Sequence, residues 1–224
     1  MNDRFDGRRR ASASPGTRRS RTVARRATLF GVGVALAAAL GATVTLVDTE
    51  AGRRADNRAG LVDQPSADWV AASDANYRSA DRPNDQRIDR IVVHVTQSRF
   101  DGATSAFRDS GHGAAAHYVV RAADGHLAQT VREADVAYHA GNWAWNARSV
   151  GIEHEGFVDD PDRWFTEAAY RSSARLAADI STRYDIPVDR EHIIGHNEVP
   201  GATHSDPGPY WNWDHYIRLV RAAK

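Results

Sequence analysis

Two histidines and two carboxylates lie in one short stretch, residues 195–208, near the C-terminus. Two Pro-Gly pairs interrupt this stretch, so it cannot form a continuous helix and is expected to fold as a loop. His196 and Asp206 are ten residues apart, a separation that a folded-back loop can close. Because a catalytic zinc site needs three protein ligands, the loop could supply two and another segment the third. The alternative is a surface loop whose histidines and aspartates are solvated.

Two further residues could complete such a site. His94 ends the apolar run 88–95, where a buried imidazole needs a partner, and is our candidate for the third ligand. Glu153 lies in the alternating segment 149–155, on the opposite face from His154. A carboxylate facing a metal could accept a proton from water. The alternatives are a core histidine bonded to the backbone and a solvated strand carboxylate.

Composition restricts the chemistry further. The chain has 224 residues, no cysteine and a formal net charge of zero. Disulfides, thiolate ligands and a cysteine nucleophile are therefore excluded, and any metal must be held by histidine and carboxylate. Residues 1–26 carry nine Arg and two Asp, a net charge of +7, and the remainder balances this at −7. Because this basic block is an extension and not a face of the folded domain, we expect no nucleic-acid partner.

The N-terminal third has the pattern of an export signal. The basic segment 1–26 precedes the uncharged apolar segment 27–47, and a charged linker is predicted over 48–83. The apolar segment has the length of a membrane span and follows Arg25 and Arg26, which resemble a twin-arginine signal. It is interpreted as a cleaved signal or an uncleaved membrane anchor, with a buried core helix as the alternative. We expect the protein to be secreted or anchored with its C-terminal domain outside.

Residues 84–224 are predicted to form a single α/β domain, a central mixed sheet flanked by helices. Asp124 and Gly125 indicate a hairpin turn between two short strands. Apolar spacing predicts a helix over 166–184, and 213–223 suits a closing helix. The strands are predicted at residues 88–95, 116–120, 127–131 and 149–155, with a short apolar stretch at 192–194 and a short helix at 101–110.

Four segments together resemble one family. They are Val92-Val93-His94, Tyr138-His139-Ala140-Gly141, Val150-Gly151-Ile152-Glu153-His154-Glu155-Gly156 and Gly195-His196 with Ser205-Asp206-Pro207-Gly208-Pro209. Their order and spacing resemble the type-2 N-acetylmuramoyl-L-alanine amidases, which are related to peptidoglycan recognition proteins. The resemblance runs from about residue 65 to the C-terminus, and it implies a mixed sheet flanked by helices and one bound zinc ion.

The resemblance also implies roles for single residues. His94, His196 and Asp206 match the zinc ligands, and Glu153 matches the catalytic glutamate. His204 lies where many members have an oxyanion-stabilising lysine, and this departure implies a sharper pH dependence. The implied reaction is hydrolysis of the amide between N-acetylmuramic acid and L-alanine.

Substrate contacts are expected from a loop and from aromatic side chains. His139 matches a histidine at the family's substrate groove. Trp143, Trp145 and Trp211 are candidates to line that groove, with a core position as the alternative for each. We expect a monomer that binds peptidoglycan or muropeptides. The alternative function is a non-catalytic peptidoglycan-recognition module.

Overall fold

The computed structural model of the protein describes residues 62–224. The basic segment 1–26, the apolar segment 27–47 and residues 48–61 of the predicted linker lie outside the described residues. Among the helices of residues 62–224, none is both long enough and apolar enough to cross a membrane.

Short β-branched and alternating segments form a mixed sheet in the described range. The strands are β1 (Ala67–Trp69), β2 (Tyr77–Arg78), β3 (Arg90–Val95), β4 (Tyr118–Val120), β5 (Leu127–Gln129), β6 (Val136–Ala137), β7 (Ser149–His154) and β8 (Ile193–Gly195). Six strands are hydrogen-bonded in the order β1-β5-β4-β7-β3-β8, and β2 pairs with β6 in a separate two-stranded sheet. β3 runs parallel to both β7 and β8, whereas β4 and β5 are antiparallel. The predicted fold class is confirmed.

Helices cover both faces of this sheet. They are α1 (Phe100–Arg108), α2 (Trp143–Arg148), α3 (Pro161–Trp164), α4 (Glu167–Arg183) and α5 (Trp213–Ala223). α4 begins where the Thr166 side chain accepts a hydrogen bond from the Ala169 N–H, a regular N-cap. The helices predicted from apolar spacing over 166–184 and 213–223 agree with α4 and α5.

Alternate residues of β3 face two different apolar layers. Ile91 and Val93 pack into the larger core, which α4 and α5 complete. Val92 faces the other side and packs with Ala140 and Ile194. Next to it, β4 and β5 form a second small core with α1. The candidate residue His94 lies on the same face as Val92, because side chains alternate along a strand.

The linker predicted over 48–83 needs a correction at its C-terminal end. β1 pairs in parallel with β5, and Arg82 is buried with 3% of its surface exposed. The Arg82 guanidinium donates to the carbonyls of Ala147, Ser149 and Glu133, which ties this segment to three other parts of the domain. The sequence conceals this because β1 is three residues long and buried charge is rare. The domain therefore includes residues 67–83.

Candidate metal centre

The candidate site lies where three parallel strands end. His94 near the end of β3 is the register partner of Glu153 on β7, so both side chains project from the same face. His196 follows β8 directly, as the first residue of a short 3₁₀ turn. Ligands commonly bind beyond the carboxyl ends of parallel strands, and these three elements deliver the candidate residues to that edge.

The loop after β8 folds back and brings Asp206 to His196. The Asn197 N–H donates to the Asp206 carbonyl at 2.9 Å, which closes the loop. Gly195 is required at its base, because a Cβ there would lie 2.6 Å from Cδ of Pro207. The predicted loop is confirmed, and its two candidate ligands are neighbours.

The Asp206 carboxylate lies between the two candidate histidine ligands. Its Oδ2 is 3.3 Å from Nδ1 of His94, and its Oδ1 is 3.1 Å from Nδ1 of His196. The Val95 N–H also donates to Oδ2, at 3.3 Å. Both Nδ1 atoms therefore converge on one carboxylate, and this contact joins β3 to the C-terminal loop.

These three side chains could hold a metal ion. Each is buried and offers one ligand atom, and the three atoms lie within 4.8 Å of one another. The buried Nε2 of His196 has no hydrogen-bond partner among the described residues, so the ring is held through Nδ1 alone. Two imidazoles and one carboxylate form a donor set that suits zinc with an open coordination position.

Electrostatics favours the protonation states that bind a metal. Burial lowers the pKa of His94, which keeps the imidazole neutral although the Asp206 carboxylate opposes this shift. Burial raises the pKa of Asp206, but the contacts of its carboxylate with the His196 and His94 rings outweigh burial and hold that pKa well below its ordinary value. A neutral imidazole beside an ionised carboxylate is the state in which both can donate to a cation.

Glu153 has the properties of a reactive carboxyl group. Its Oε2 is buried and accepts no hydrogen bond from the described residues. Burial, together with the negative charge of Asp206, raises the pKa of Glu153 well above its ordinary value. A carboxylate that is poorly solvated and unpaired is a strong proton acceptor for a water molecule bound next to it.

His204 lies at the open side of the site. It is exposed, and its ring stacks on His196 with 4.8 Å between ring centroids and 15° between planes. Both rings line one cavity of about 570 Å³, together with Glu153 and Asp206. This volume is typical of small-molecule sites. Residues of α1 and residues 112–115 also line this cavity.

His139 lies beside the three candidate metal ligands and not at the rim of the cavity. Its Nδ1 is 3.0 Å from Nε2 of His94, and its Nε2 is 3.2 Å from Oγ of Ser149. The ring rests on Gly151, where a Cβ would lie 2.6 Å from it. His139 borders the cavity but is 8% exposed.

The predicted groove tryptophans are in three different environments. Trp211 is 4% exposed and packs between Tyr170, His154 and Tyr216 in the core with α4 and α5, so its prediction as a groove residue is wrong. The reason is that an apolar ring suits a core as well as a groove.

The other two tryptophans lie outside this core. Trp145 is partly buried against the small cluster around Val92. Trp143 is 49% exposed, with the Arg78 guanidinium 4.4 Å from its ring centroid. Its ring is 6.4 Å from that of Tyr138, which lines the cavity.

Sequence reasoning missed two groups behind the site. Ser149 bonds His139 from the start of β7, and buried His117 accepts a hydrogen bond from the Gly151 N–H. Neither residue stands in a motif that marks it, because each contact joins two separate elements of the fold. The glycine at 151, between a serine and a glutamate on the same strand face, is the one local sign of a close approach.

Comparisons with known proteins agree with this geometry. The sequence profile of the family described as N-acetylmuramoyl-L-alanine amidase matches residues 84–209. N-acetylmuramoyl-L-alanine amidase A of Achromobacter lyticus is 31% identical over 179 residues, which cover 72% of this chain and 97% of that protein.

Solved structures have the same fold. A selenomethionine derivative of AmpD gives a TM-score of 0.58 at 26% identity, covering 71% of this chain and 99% of that one. AmiD from E. coli, in complex with anhydro-N-acetylmuramic acid-L-Ala-D-gamma-Glu-L-Lys, gives a TM-score of 0.51 at 27% identity. That match covers 59% of this chain and 57% of the AmiD chain.

Proposed function

Since the chain belongs to the type-2 N-acetylmuramoyl-L-alanine amidase family and is a peptidoglycan amidase, we propose that its hydrolysis depends on one Zn²⁺ ion. His94, His196 and Asp206 would hold the ion. The observation that carries this proposal is their convergence within 4.8 Å, next to the unpaired carboxyl group of Glu153. The donor set contains no thiolate, in keeping with a chain that has no cysteine.

Zinc held by three protein ligands supplies a Lewis acid that polarises a carbonyl and makes water more acidic. The protein supplies the proton transfers. Glu153 accepts the proton of the attacking water and returns it to the departing amine of L-alanine. Its raised pKa suits both steps, because the carboxylate is basic enough to take the proton and the acid can give it back.

His204 is proposed to stabilise the oxyanion that forms on the scissile carbonyl. The ring stacks on a proposed ligand, His196, and reaches the open side of the cavity. An imidazole N–H aimed at the developing charge would supply one hydrogen bond. In acyl-transfer enzymes, one such hydrogen bond lowers the activation free energy by roughly 3 kcal/mol.

The substrate is proposed to be peptidoglycan or a muropeptide, cut between N-acetylmuramic acid and L-alanine. AmiD binds such a muropeptide in the structure to which this chain is similar. Of the predicted contact residues, Trp143 offers an exposed ring for a sugar beside Tyr138, which lines the cavity, and His139 lines the cavity itself. We propose that the enzyme acts as a monomer.

We further propose that the enzyme works outside the cytoplasmic membrane. The support is the order of segments in the sequence, a basic block followed by the uncharged apolar run 27–47. Such a run would export the domain, either as a cleaved signal or as an anchor, and peptidoglycan lies on that side of the membrane.

Digestion of purified peptidoglycan tests the proposal. The purified chain is incubated with and without a chelator, and new ends are identified by mass spectrometry. We expect free N-terminal L-alanine that disappears with the chelator and returns with added zinc. Digestion that a chelator does not affect would disprove the zinc dependence. Bound zinc and wall affinity without new ends would instead support a binding module.

A further inference from the structure

We propose that His139 and Ser149 are positioning residues that set the tautomer of His94, so that its Nδ1 is free to bind a metal. The inference rests on the proposed function only where that function names His94 as a ligand. It concerns a chain of hydrogen bonds that runs from the proposed metal centre to the backbone of α2.

Three contacts build this chain. Nε2 of His94 is 3.0 Å from Nδ1 of His139, and Nε2 of His139 is 3.2 Å from Oγ of Ser149. The Ser149 hydroxyl then donates to the carbonyl of Trp145 at 2.5 Å. His94, His139 and Ser149 are all buried, with at most 8% of any residue exposed. Water therefore does not compete for these bonds.

The carbonyl at the end gives the chain its direction. A carbonyl oxygen accepts and never donates, so the single Ser149 hydroxyl proton points to Trp145. Oγ of Ser149 then accepts from His139, which places the proton of that neutral ring on Nε2. Nδ1 of His139 must accept, and the matching donor is the Nε2–H of His94. Nδ1 of His94 is left with its lone pair toward Asp206.

The opposite direction is unfavourable at the Ser149 end. The Ser149 proton would leave the Trp145 carbonyl, and two oxygens would face each other at 2.5 Å with no proton between them. At the other end, the proton of His94 would lie on Nδ1, toward the Asp206 carboxylate, and would occupy the atom that the metal needs.

The position of the His139 ring is fixed by packing. Gly151 lies directly against it, and any Cβ there would approach the ring to 2.6 Å. On the far side, His117 meets His139 edge to face, with 5.6 Å between ring centroids. His117 is in turn fixed because its Nδ1 accepts from the Gly151 N–H at 3.0 Å. The ring cannot swing away from His94 without displacing β7.

The first test is nitrogen NMR on the metal-free full chain labelled in histidine. The signals of His94 are assigned by their loss in His94→Gln. We expect Nε2 of His94 to be protonated and Nδ1 to be the bare, pyridine-like nitrogen. In Ser149→Ala this single tautomer should give way to a mixture. Protonation of Nδ1 in the wild-type chain would overturn the proposal.

The second test is zinc affinity, measured by competition with a chelator. Loss of a partner behind a metal ligand typically costs 10–100-fold, and we expect about tenfold weaker binding for Ser149→Ala. Ser181→Ala is the matched control, because Ser181 is equally buried but its hydroxyl makes no hydrogen bond among the described residues. Equal zinc affinity of Ser149→Ala and Ser181→Ala would contradict the proposal.

Two variants of His139, whose new side chains have nearly the same shape as each other, distinguish a positioning role of His139 from a packing role. His139→Asn keeps an acceptor for the Nε2–H of His94, whereas His139→Leu removes it. We expect His139→Asn to bind zinc about tenfold more tightly than His139→Leu. Equal affinity would mean that His139 only fills space.

These results can be separated from a failure of the proposed function. A wild-type chain that neither binds zinc nor hydrolyses peptidoglycan would disprove that function. The tautomer in the metal-free chain would still decide whether the hydrogen-bond chain has the proposed direction.

Discussion

β7 carries Glu153 and His154 as neighbours in the sequence, but on opposite faces of the central sheet. His154 is fully satisfied, because its Nδ1 bonds to the carbonyl of His94 at 2.9 Å and its Nε2 bonds to Ser173 at 2.7 Å. Glu153 keeps a buried oxygen with no hydrogen-bond partner among the described residues. β7 therefore carries a polar side chain with all its hydrogen bonds made on the side of α4 and α5. On the cavity side it carries one that lacks a hydrogen-bond partner.

Burial has different effects on the two faces of β7. On the core side, hydrogen bonds and aromatic contacts with Trp211 and Tyr216 fix His154, so burial adds to stability. On the cavity side, desolvation and the like charge of Asp206 raise the pKa of the half-buried Glu153, which makes its carboxylate a stronger proton acceptor. Substitutions on one face should therefore change stability, and substitutions on the other should change turnover.

Glu153→Gln gives the largest expected effect. It keeps the shape but removes the proton acceptor, so turnover should fall by about 10²–10⁴-fold. The raised pKa shows that ionised Glu153 is unfavourable in the folded state. Above the ordinary pKa of glutamate, the variant should therefore be at least as stable as the parent. Steady-state kinetics and urea unfolding measure both quantities, with zinc content as the control. Turnover near that of the parent would remove Glu153 from the mechanism.

Trp211→Ala should give the largest effect on stability. The ring is 4% exposed and touches Tyr170, His154 and Tyr216, so its loss should lower the unfolding free energy by about 3–5 kcal/mol. Trp211→Phe is the matched variant and should cost much less, because the buried Nε1 makes no hydrogen bond among the described residues. A stable Trp211→Ala with a raised KM would instead return Trp211 to the groove.

The two faces also explain what the sequence could predict. Apolar periodicity located β3, β7, α4 and α5, because each of them buries an extended apolar surface. The loop with His196 and Asp206 was recognisable because its prolines and glycines leave no regular alternative. Local patterns and the order of the four family segments were sufficient for these parts of the fold and the site.

Three features escaped because they depend on contacts that no local pattern in the chain marks. β1 is too short and polar to show a pattern, yet it pairs with β5 about 60 residues later. Trp211 has the same local character as a groove tryptophan, and only the packing of α4 against α5 decides its place. The bond from Ser149 to His139 joins a strand to a loop, which no spacing in the chain indicates.

The unfolding free energy should depend on pH through His154, which lies on the core face of β7. Burial lowers the pKa of His154 from 6.5 to about 4, so the folded state disfavours the charged ring. Its contribution is complete above the unfolded pKa of 6.5 and is lost as pH falls toward 4. The loss amounts to about 3 kcal/mol over this window.

Urea unfolding from pH 7 to pH 4, in chelator-treated protein, measures this slope. His154→Gln cannot take up the proton. The slope of its unfolding free energy against pH should therefore be smaller, by an amount that corresponds to about one proton fewer bound on unfolding. Identical slopes for the variant and the parent would show that His154 is not protonated on unfolding and would weaken the contrast between the faces.

Trp143→Ala should give the smallest effect and tests the rim of the cavity side. Trp143 is 49% exposed, so its loss should change the unfolding free energy by less than about 0.5 kcal/mol. If the ring stacks on a sugar, the contact is the same in the bound substrate and in the transition state. KM should then rise a few-fold while kcat is unchanged.

Trp143→Phe sharpens this last test, because it keeps an aromatic face and the contact with the Arg78 guanidinium. We expect its KM to lie between those of Trp143→Ala and the parent when short muropeptides are the substrate. An unchanged KM in both variants would place the sugar elsewhere on the cavity rim. A fall in kcat would mean that the rim also positions the scissile bond against Glu153, and the separation of binding from chemistry on this face would then be wrong.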